Sequence, residues 1–581
     1  MHKFLLTALA VGLASAGLSC GASAAQTFEG TATGKHGDIT VAVTFDNNKI
    51  ADIRIVKEED NPVLTQKVYK DLREAIIAGN SVAVDSISGA TLSSDALKAA
   101  VKAAADKAGV TLAATPLIVT KREVKIPEKD GYDVIVIGAG GAGFAAAVSA
   151  HDSGAKVVML EKMPTLGGNS LISGAEYAAA NNWVQQKLGI KDSVEQHFQD
   201  TMKGGDMLGD PAVVRVLVEN ALPTALWLRD TIGVEFQEDN LFHFGGHSVK
   251  RSLIPKGATG AEFINKFVKA TTERKIPIFT ETRVTELIRD KDGRVTGVKA
   301  EIDGKILQVN AKKGVVIATG GFSANVALRA KLNPFYGEGF KTTNLPCAQG
   351  DGIFMAEKVG AASVNMEQIQ TYPMCDPISG AIELIDDARF EGAILINQEG
   401  KRFVEELERR DVMSKAILEQ TGQYCYALFN QAVEDRAHAI EHHQDEVRVF
   451  SKTGILKTGK TLDEVAAAFD IPADALKATV ARINEFAKTG KDLDFGYRGK
   501  FSDLSEGPYW IYRGVPSVHH TMGGLKINPK AQVLDKNDKP IPGLWAAGEV
   551  TGCTHGSNRL GSNAYTDIMV FGRIAGSEAA K

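Results

Sequence analysis

Apolar residues predict alternating strands and helices over most of the chain. Residues 134–137 form an unbroken β-branched run, and an alanine-rich stretch ending near Gly154 separates it from a second apolar run at 156–160. Such runs are typical of parallel strands buried on both faces, and the stretch between them predicts a helix. A further strand is predicted at 314–318 and helices at 192–232. The pattern indicates an α/β fold.

A separate α+β unit is predicted over residues 26–115. Residues 39–45 and 50–56 have the alternation of strands and are separated by a short Asp and Asn turn, which predicts a hairpin. Helical periodicity follows at 64–78, and a second helix is predicted at 95–108, before a glycine.

The first 25 residues have the pattern of a signal peptide. A short basic start, an apolar run at 4–18 and the small residues at 22–25 predict export to the periplasm and removal of residues 1–25. The apolar run is shorter than the roughly 20 residues that span a bilayer, so no stable membrane insertion is expected. Cys20 leaves a lipoprotein as the alternative, although Gly17 stands where a lipobox usually has Leu.

The remaining sequence is divided by changes in its pattern. A linker with two prolines is predicted at 116–130, and charged helical segments at 367–507 interrupt the α/β pattern as an inserted α+β domain. The interrupted domain is therefore predicted at 131–366 and 508–581.

Charge and cysteine content exclude several classes of function. The net charge of -5 and the lack of a basic cluster argue against a nucleic-acid partner. The cysteines past the signal peptide show no metal or redox spacing, and no C-x-x-C-H sequence for haem attachment occurs. No metal site is predicted.

The first predicted strand leads into a dinucleotide motif. Gly138, Gly140 and Gly143 have the G-x-G-x-x-G spacing, which gives a tight turn and brings helix N–H groups close to a pyrophosphate. Glu161 ends the second strand, where a carboxylate can bind ribose hydroxyls. A further Gly-rich loop that includes Gly168, and two matching loops far downstream, favour FAD over NAD.

The segment at 85–91 resembles the flavinylation motif of FMN-binding domains. It reads D-S-I-S-G-A-T, matching D-x-x-S-G-A-T, in which the final Thr carries FMN through a phosphoester bond. The resemblance implies covalent FMN on Thr91.

From residue 132 to 580 the chain resembles the flavoprotein subunits of fumarate reductases and succinate dehydrogenases, of the soluble periplasmic type. The matching segments are GAGGAG, GGNS, ATGGF, GDG, GAILIN, GKRFVEELERRD, HHTMGG, GLWAAGEVTG and NRLGSNA. The resemblance implies a Rossmann-like FAD domain, a mobile capping domain and an active site between them. Besides the residues above, the cofactor contacts assigned within or beside these motifs are Asn169, Ser170, Gly320, Asp351, His520, Glu549 and Asn563.

The same resemblance assigns the catalytic groups. Arg559 matches the arginine that clamps a substrate carboxylate, and His519 matches a carboxylate-binding histidine. Arg410 matches the proton-donating arginine, which works at the end of a relay through an acid and a second arginine. Here the relay candidates are Asp386 or Asp387, together with Arg389.

Three departures from the fumarate reductases point to a different substrate. Tyr372 replaces a histidine that helps to hold the second carboxylate of fumarate, Ile385 replaces a threonine, and Glu176 replaces an apolar or neutral residue. Carboxylates disfavour an anion at that end of the cleft and favour a cationic or hydrogen-bond-donating ring. Tyr372, Asp387 and Glu176 are therefore predicted to hold the ring, with Phe244 as a wall.

An acrylate that carries such a ring is urocanate, so the expected reaction is reduction of urocanate to imidazolylpropionate. Fumarate or another 2-enoate such as a cinnamate is the alternative substrate. An electron-transfer flavoprotein with a vestigial site is the alternative of a different class. Without haem motifs, the electrons are expected from a separate donor, a membrane-anchored cytochrome.

Overall fold

A computed structural model describes residues 25–34, 37–58, 65, 68–87, 90–114 and 126–581. Almost all of the predicted signal peptide and most of the predicted linker lie outside these residues. Within the described part of the chain, no helix is long and apolar enough to cross a membrane. The chain divides into two compact units, a smaller one within residues 25–114 and a larger one that contains 126–581.

The smaller unit is a three-stranded antiparallel sheet with helices. The predicted hairpin is confirmed, and Asn47 and Asn48 adopt positive φ at its turn. The helix predicted to begin at residue 95 begins four residues earlier, and Ser93 and Ser94 are buried within its first turn. In order, its strands and helices are Gln26–Thr33, Asp38–Asp46, Lys49–Glu58, Val68–Leu72, Arg73–Gly79 and Thr91–Ala108.

The larger unit is organised around an eight-stranded sheet. Its central strands Tyr132–Ile137, Val157–Leu160 and the second half of Lys305–Ile317 are parallel, and Pro540–Ala546 extends this parallel group. The fully buried β-branched residues of Tyr132–Ile137 explain the unbroken apolar run. The other strands of this sheet are Ile278–Phe279, Arg283–Arg289, Val295–Ile302 and Gln532–Leu534.

A second sheet of five strands carries much of the predicted capping domain. Tyr509–Thr521 is its long central strand and pairs with three neighbours, so the sheet continues beyond residue 507, where the inserted domain was predicted to end. The other strands are Ile369–Cys375, Ile394–Ile396, Cys425–Asn430 and Leu456–Gly459. The larger unit also has two small sheets. One contains the strands Tyr177–Ala178, Phe236–Phe242 and Ser252–Pro255, and the other contains Ser363–Val364 and Gly524–Leu525.

Helices pack against the eight-stranded and the five-stranded sheet of the larger unit. Gly141–Asp152 and Asn563–Ala579 pack on each other beside the parallel strands, and nearly all their apolar residues are buried. The remaining helices and helical turns are Gly168–Leu171, Trp183–Leu188, Val194–Gly204, Pro211–Trp227, Leu228–Ile232, Lys256–Ala258, Ala261–Glu273, Val326–Leu332, Pro334–Tyr336, Asp351–Lys358, Leu384–Asp386, Asp387–Phe390, Arg410–Leu418, Thr421–Gln423, Gln431–Ala437, Ala439–His442, Gln444–Thr453, Leu462–Ala467 and Ala473–Thr489.

Candidate active site

The carboxyl ends of the parallel strands form one long cleft. Because parallel strands end at the same edge of a sheet, the residues that follow them come together there. Gly138, Glu161, Gly320 and Glu549 follow four different strands and line a cleft of about 1130 Å³. This space is large enough for a sizeable cofactor.

The glycine motif lets the first helix begin directly at the cleft. Gly138 has φ of 101°, and a Cβ there would lie 2.4 Å from the Ala318 carbonyl oxygen. A Cβ on Gly143 would lie 1.9 Å from the carbonyl oxygen of Gly138, so a glycine is needed for the helix to pack on the strand end. Gly140 caps this helix and lines the cleft, where free N–H groups favour phosphate.

The donor and acceptor groups of the cleft fit FAD. The Glu161 carboxylate is fixed by accepting the N–H groups of Ala139 and Met163, both at 2.8 Å. Gly168, Asn169, Ser170 and Asp351 also line the cleft. A helix N-terminus for phosphate and an anchored carboxylate for hydroxyls are the groups that a dinucleotide requires.

The side chain of Asn563 does not support its predicted cofactor contact. Its Oδ1 lies 3.0 Å from His197 Nε2, and its Nδ2 donates to Thr201 Oγ1 at 3.0 Å. The amide is buried and committed to these partners. Asn563 therefore ties the start of the last helix to the helix Val194–Gly204.

A second cavity of about 1040 Å³ continues from the first. Both are lined by Asn169, Ser170, Ile172, Glu549 and Ile568, so a cofactor in the cleft borders the second cavity. The structure brings all the predicted substrate-binding residues, with Arg410 and His520, to this cavity: Glu176, Phe244, Tyr372, Asp387, His519 and Arg559.

Two arginines, a buried Arg559 and a partly buried Arg410, supply positive charge to this cavity. Arg410 Nη1 and Arg559 Nε are buried and have no hydrogen-bond partner among the described residues. Burial lowers the pKa of Arg410, and burial together with the charge of Arg410 lowers the pKa of Arg559 well below its usual value. Buried cations with unpaired donors are costly, and an anionic ligand would relieve that cost.

Carboxyl groups also line this cavity. Burial, followed by the charge of Asp387, raises the pKa of Glu176 to about 7. Glu383 also lines the cavity, and neither of its carboxyl oxygens has a hydrogen-bond partner among the described residues. Burial and nearby Asp386 raise the pKa of Glu383 well above its usual value.

The two adjacent aspartates have different surroundings. Asp386 is buried and accepts hydrogen bonds from Arg389 Nη2 at 2.7 Å, Tyr512 Oη at 3.0 Å and Tyr372 Oη at 3.3 Å. Arg389 and Arg410 line one small cavity, whereas Asp387 faces the second cavity described above. The geometry supports Asp386 as the relay acid and Asp387 as a ligand-facing group.

Several residues of the cavity were not predicted. Phe390 stacks on Phe242 with ring centroids 5.3 Å apart and meets Phe244 edge-on at 5.1 Å, so it completes an aromatic wall. The sequence signal that pointed to Phe390 was its position directly after Arg389, a predicted relay residue. Thr343 Oγ1 lies 2.8 Å from His519 Nδ1 and fixes that ring, but no sequence motif marks it.

The predicted flavinylation site falls at the start of a helix. Thr91 is the first residue of Thr91–Ala108, but its side chain lies outside the described residues, as do Ser88 and Gly89. Ser86 Oγ, in the second residue of the motif, donates to Asp95 at 2.7 Å and accepts from Lys98 Nζ at 2.7 Å, which joins the start of the motif to the helix that begins at its last residue.

Comparison with known proteins identifies two flavin-binding regions and several relatives. Residues 133–564 match the FAD binding domain family, and residues 34–106 match the FMN-binding domain family. The chain is 43% identical to a urocanate reductase of Eggerthella lenta, over 96% of this chain and 92% of that protein. It is 40% identical to a cytochrome-type fumarate reductase of Shewanella frigidimarina, over 78% and 77% of the two chains.

Among solved structures, the chain resembles the open conformation of a flavocytochrome c3 fumarate reductase. The TM-score is 0.64 at 36% identity, and the match covers 77% of this chain and 78% of that chain.

Proposed function

The chain belongs to the family of FAD-binding flavoenzymes that includes these fumarate and urocanate reductases, and on that premise we propose that it reduces urocanate to imidazolylpropionate. The observation that carries the proposal is that cationic and acidic groups line one cavity. Arg410 and Arg559 face it, and so do the carboxyl groups of Glu176 and Asp387. Urocanate has a carboxylate at one end and an N–H-bearing ring at the other.

The substrate carboxylate is held by Arg559 and His519. A planar guanidinium can bind a carboxylate through two parallel hydrogen bonds. Arg559 Nε lacks a partner among the described residues, and the His519 ring is held by Thr343. Their positive and donating groups also stabilise the negative charge that develops on the carboxylate side during reduction.

The imidazole ring is held by Glu176, Asp387 and Tyr372, with Phe244 as a wall. Carboxylate oxygens accept hydrogen bonds from a ring N–H and repel a second carboxylate. The rings of Tyr372 and His519 meet edge-on, with centroids 5.4 Å apart. A residue proposed to bind the imidazole ring and a residue proposed to bind the carboxylate are therefore neighbours in the cavity.

Arg410 protonates the α-carbon from its guanidinium group. Burial lowers its pKa, which makes the cation a stronger acid than arginine in water. The Asp386–Arg389 pair returns a proton to Arg410 and takes one from solvent. Reduction of the double bond thus consumes one hydride and one proton.

FAD, when bound in the first cleft, supplies the hydride to the β-carbon. Gly138, Gly140 and Glu161 hold its dinucleotide part, while Asn169 and His520 border the passage to the substrate. Residues that exclude water there protect the reduced state from side reactions.

Thr91 would hold FMN, which would supply electrons for the reduction, and the protein would work in the periplasm with a membrane-anchored cytochrome as donor. The D-x-x-S-G-A-T match and the FMN-binding domain support the FMN site. The signal-peptide pattern of residues 1–25 supports export, and the lack of a C-x-x-C-H sequence supports a separate donor.

The test is anaerobic oxidation of reduced viologen by the holoprotein with urocanate, fumarate and cinnamate in parallel. We expect turnover with urocanate at least tenfold faster than with either alternative. Equal or faster turnover of fumarate would contradict the assignment of Glu176 and Asp387 to the ring.

Substitution of two neighbouring arginines distinguishes an active enzyme from a flavoprotein with a vestigial site. Arg410→Ala should lose more than about 100-fold of the turnover, in line with the contribution of a positioned acid. Arg409→Ala is the matched control, because Arg409 is paired with Asp206 and Asp411 outside the substrate cavity. Similar turnover by the two variants would overturn the proton-donor role.

A further inference from the structure

Two residues of one helical segment hold the turn that carries Asp386 and Asp387. Glu446 accepts the backbone N–H groups of Leu384 and Ile385, both at 3.0 Å. Three residues earlier, His443 Nε2 lies 3.5 Å from Asp387 Oδ2. Glu446 therefore fixes the backbone of the turn, and His443 Nε2 lies at ion-pair distance from the side chain of Asp387 without a hydrogen bond to a described residue.

His443 is buried but is not part of the cavity surface. It is 7% exposed, and it separates the helices Ala439–His442 and Gln444–Thr453. The charged groups that face it are Asp387 from the turn and Glu446 and Asp445 from its own segment, and the His442 ring lies edge-on at 6.4 Å. Burial lowers the pKa of His443, but these carboxylates outweigh burial and raise it above the usual value.

We propose that His443 is a positioning residue that sets the preference for an imidazole ring by orienting Asp387 as a hydrogen-bond acceptor. The inference rests on the proposed function, because it concerns the same ring-binding group. His443 Nε2 lies at ion-pair distance from Oδ2 of Asp387, and a carboxylate has a second oxygen, Oδ1, that can accept a ring N–H.

The crowding of carboxyl groups favours a cation beside Asp387. Glu176, Glu383 and Asp387 line one cavity, and carboxylates that share a low-dielectric space repel each other. A protonated carboxyl in place of Asp387 would present a donor to the ring instead of an acceptor. Arg559 serves the substrate carboxylate and Arg410 the α-carbon, whereas His443 lies at ion-pair distance from Asp387 and can compensate its charge.

The experiment is a double-mutant cycle of His443→Gln and Asp387→Asn in the holoenzyme. Binding is measured by the change in flavin absorbance on titration with imidazolylpropionate and with 3-phenylpropionate, whose ring has no N–H. His443→Gln should weaken imidazolylpropionate binding about tenfold, the scale of a hydrogen bond to a charged group. Binding of 3-phenylpropionate should change less than about twofold.

The cycle distinguishes positioning from general support of the fold. After Asp387→Asn, adding His443→Gln should cause no further loss, because the acceptor it holds is gone. For urocanate turnover, His443→Gln should raise KM and leave kcat within about twofold. Equal weakening of both ligands, or fully additive losses, would overturn the proposal.

Controls distinguish the proposed role of His443 from a role in folding and from a failure of the proposed function. His442→Gln changes an exposed neighbouring histidine and should have no effect, and His443→Asn serves as a second variant. Loss of FAD in both His443 variants would show a structural role and overturn the inference. A wild-type protein that does not reduce urocanate but binds imidazolylpropionate with the expected coupling would overturn only the proposed function.

Discussion

At the scale of residues, the site is defined by ionisable groups whose pKa values are shifted from their usual values by burial. Glu176, Glu383 and Asp386 all have raised pKa values with burial as the leading cause, whereas the pKa values of Arg410 and Arg559 are lowered. Groups shifted in this way cluster at functional sites, because stability is given up there to prepare charges for a ligand. The arrangement has a measurable consequence for stability.

Glu176 should make the protein less stable as the pH rises. Its pKa is about 7 in the folded state and 4.5 in its ordinary state, so between these values the folded protein binds the extra proton. The free energy of unfolding therefore falls with rising pH through this window, by about 3 kcal/mol in total. Glu176→Gln lacks this loss, and its melting temperature should exceed that of the wild type at pH 8 by more than at pH 5.

The control for this prediction is Glu238→Gln, which changes an exposed carboxylate. Its melting temperature should equal that of the wild type at both pH values. If the melting temperature of Glu176→Gln also equalled that of the wild type at both, Glu176 would be ionised in the folded protein across this window.

At the scale of elements, the site depends on how closely the first helix packs on the first strand. The parallel strands bring distant loops to one edge, and the helix Gly141–Asp152 starts at that edge. The strand Tyr509–Thr521 has an additional role, because it pairs within the capping sheet and also carries His519 and His520 to the cavity. A change in one helix position should therefore affect cofactor binding.

Gly143→Ala should cause loss of FAD and lower stability. The added Cβ would lie 1.9 Å from the carbonyl oxygen of Gly138, so the helix must move away from the strand. Overpacking of this kind costs about 1 to 3 kcal/mol or more. The measurements are the ratio of FAD to protein after purification and the melting temperature.

Gly339→Ala is the matched control, since a Cβ at Gly339 meets no atom within 4 Å. It should retain FAD and the wild-type melting temperature. Full FAD content in Gly143→Ala would show that the motif tolerates a looser helix.

At the scale of the whole molecule, the chain combines an FMN-binding domain with an FAD-binding domain in one polypeptide. The smaller unit has its own core, in which Ile39, Val41 and Leu97 are fully buried. The FMN-binding region at 34–106 and the FAD-binding region at 133–564 do not overlap, so a substitution within the first leaves the FAD-binding residues unchanged. The two flavins should therefore be separable by a single substitution.

Thr91→Ala should remove covalent FMN and leave FAD in place. Without the hydroxyl no phosphoester can form, so the mass of the denatured protein should be lower by one FMN and its flavin fluorescence should be lost. Ser93→Ala is the control and should keep both signals. Covalent FMN in Thr91→Ala would place the attachment on another residue.

The sequence by itself determined the α/β class, the hairpin of the smaller unit, the FAD motif and most residues of the cavity. These features depend on local periodicity and on short motifs in which the chemistry needs particular residue types at fixed spacing. Tertiary structure alone decided which of the two aspartates faces the cavity, that Asn563 binds His197, that Phe390 joins the aromatic wall and that His443 lies beside Asp387. The last three contacts join residues far apart in the chain, whose spacing carries no signal, because packing of separate elements sets which side chains meet.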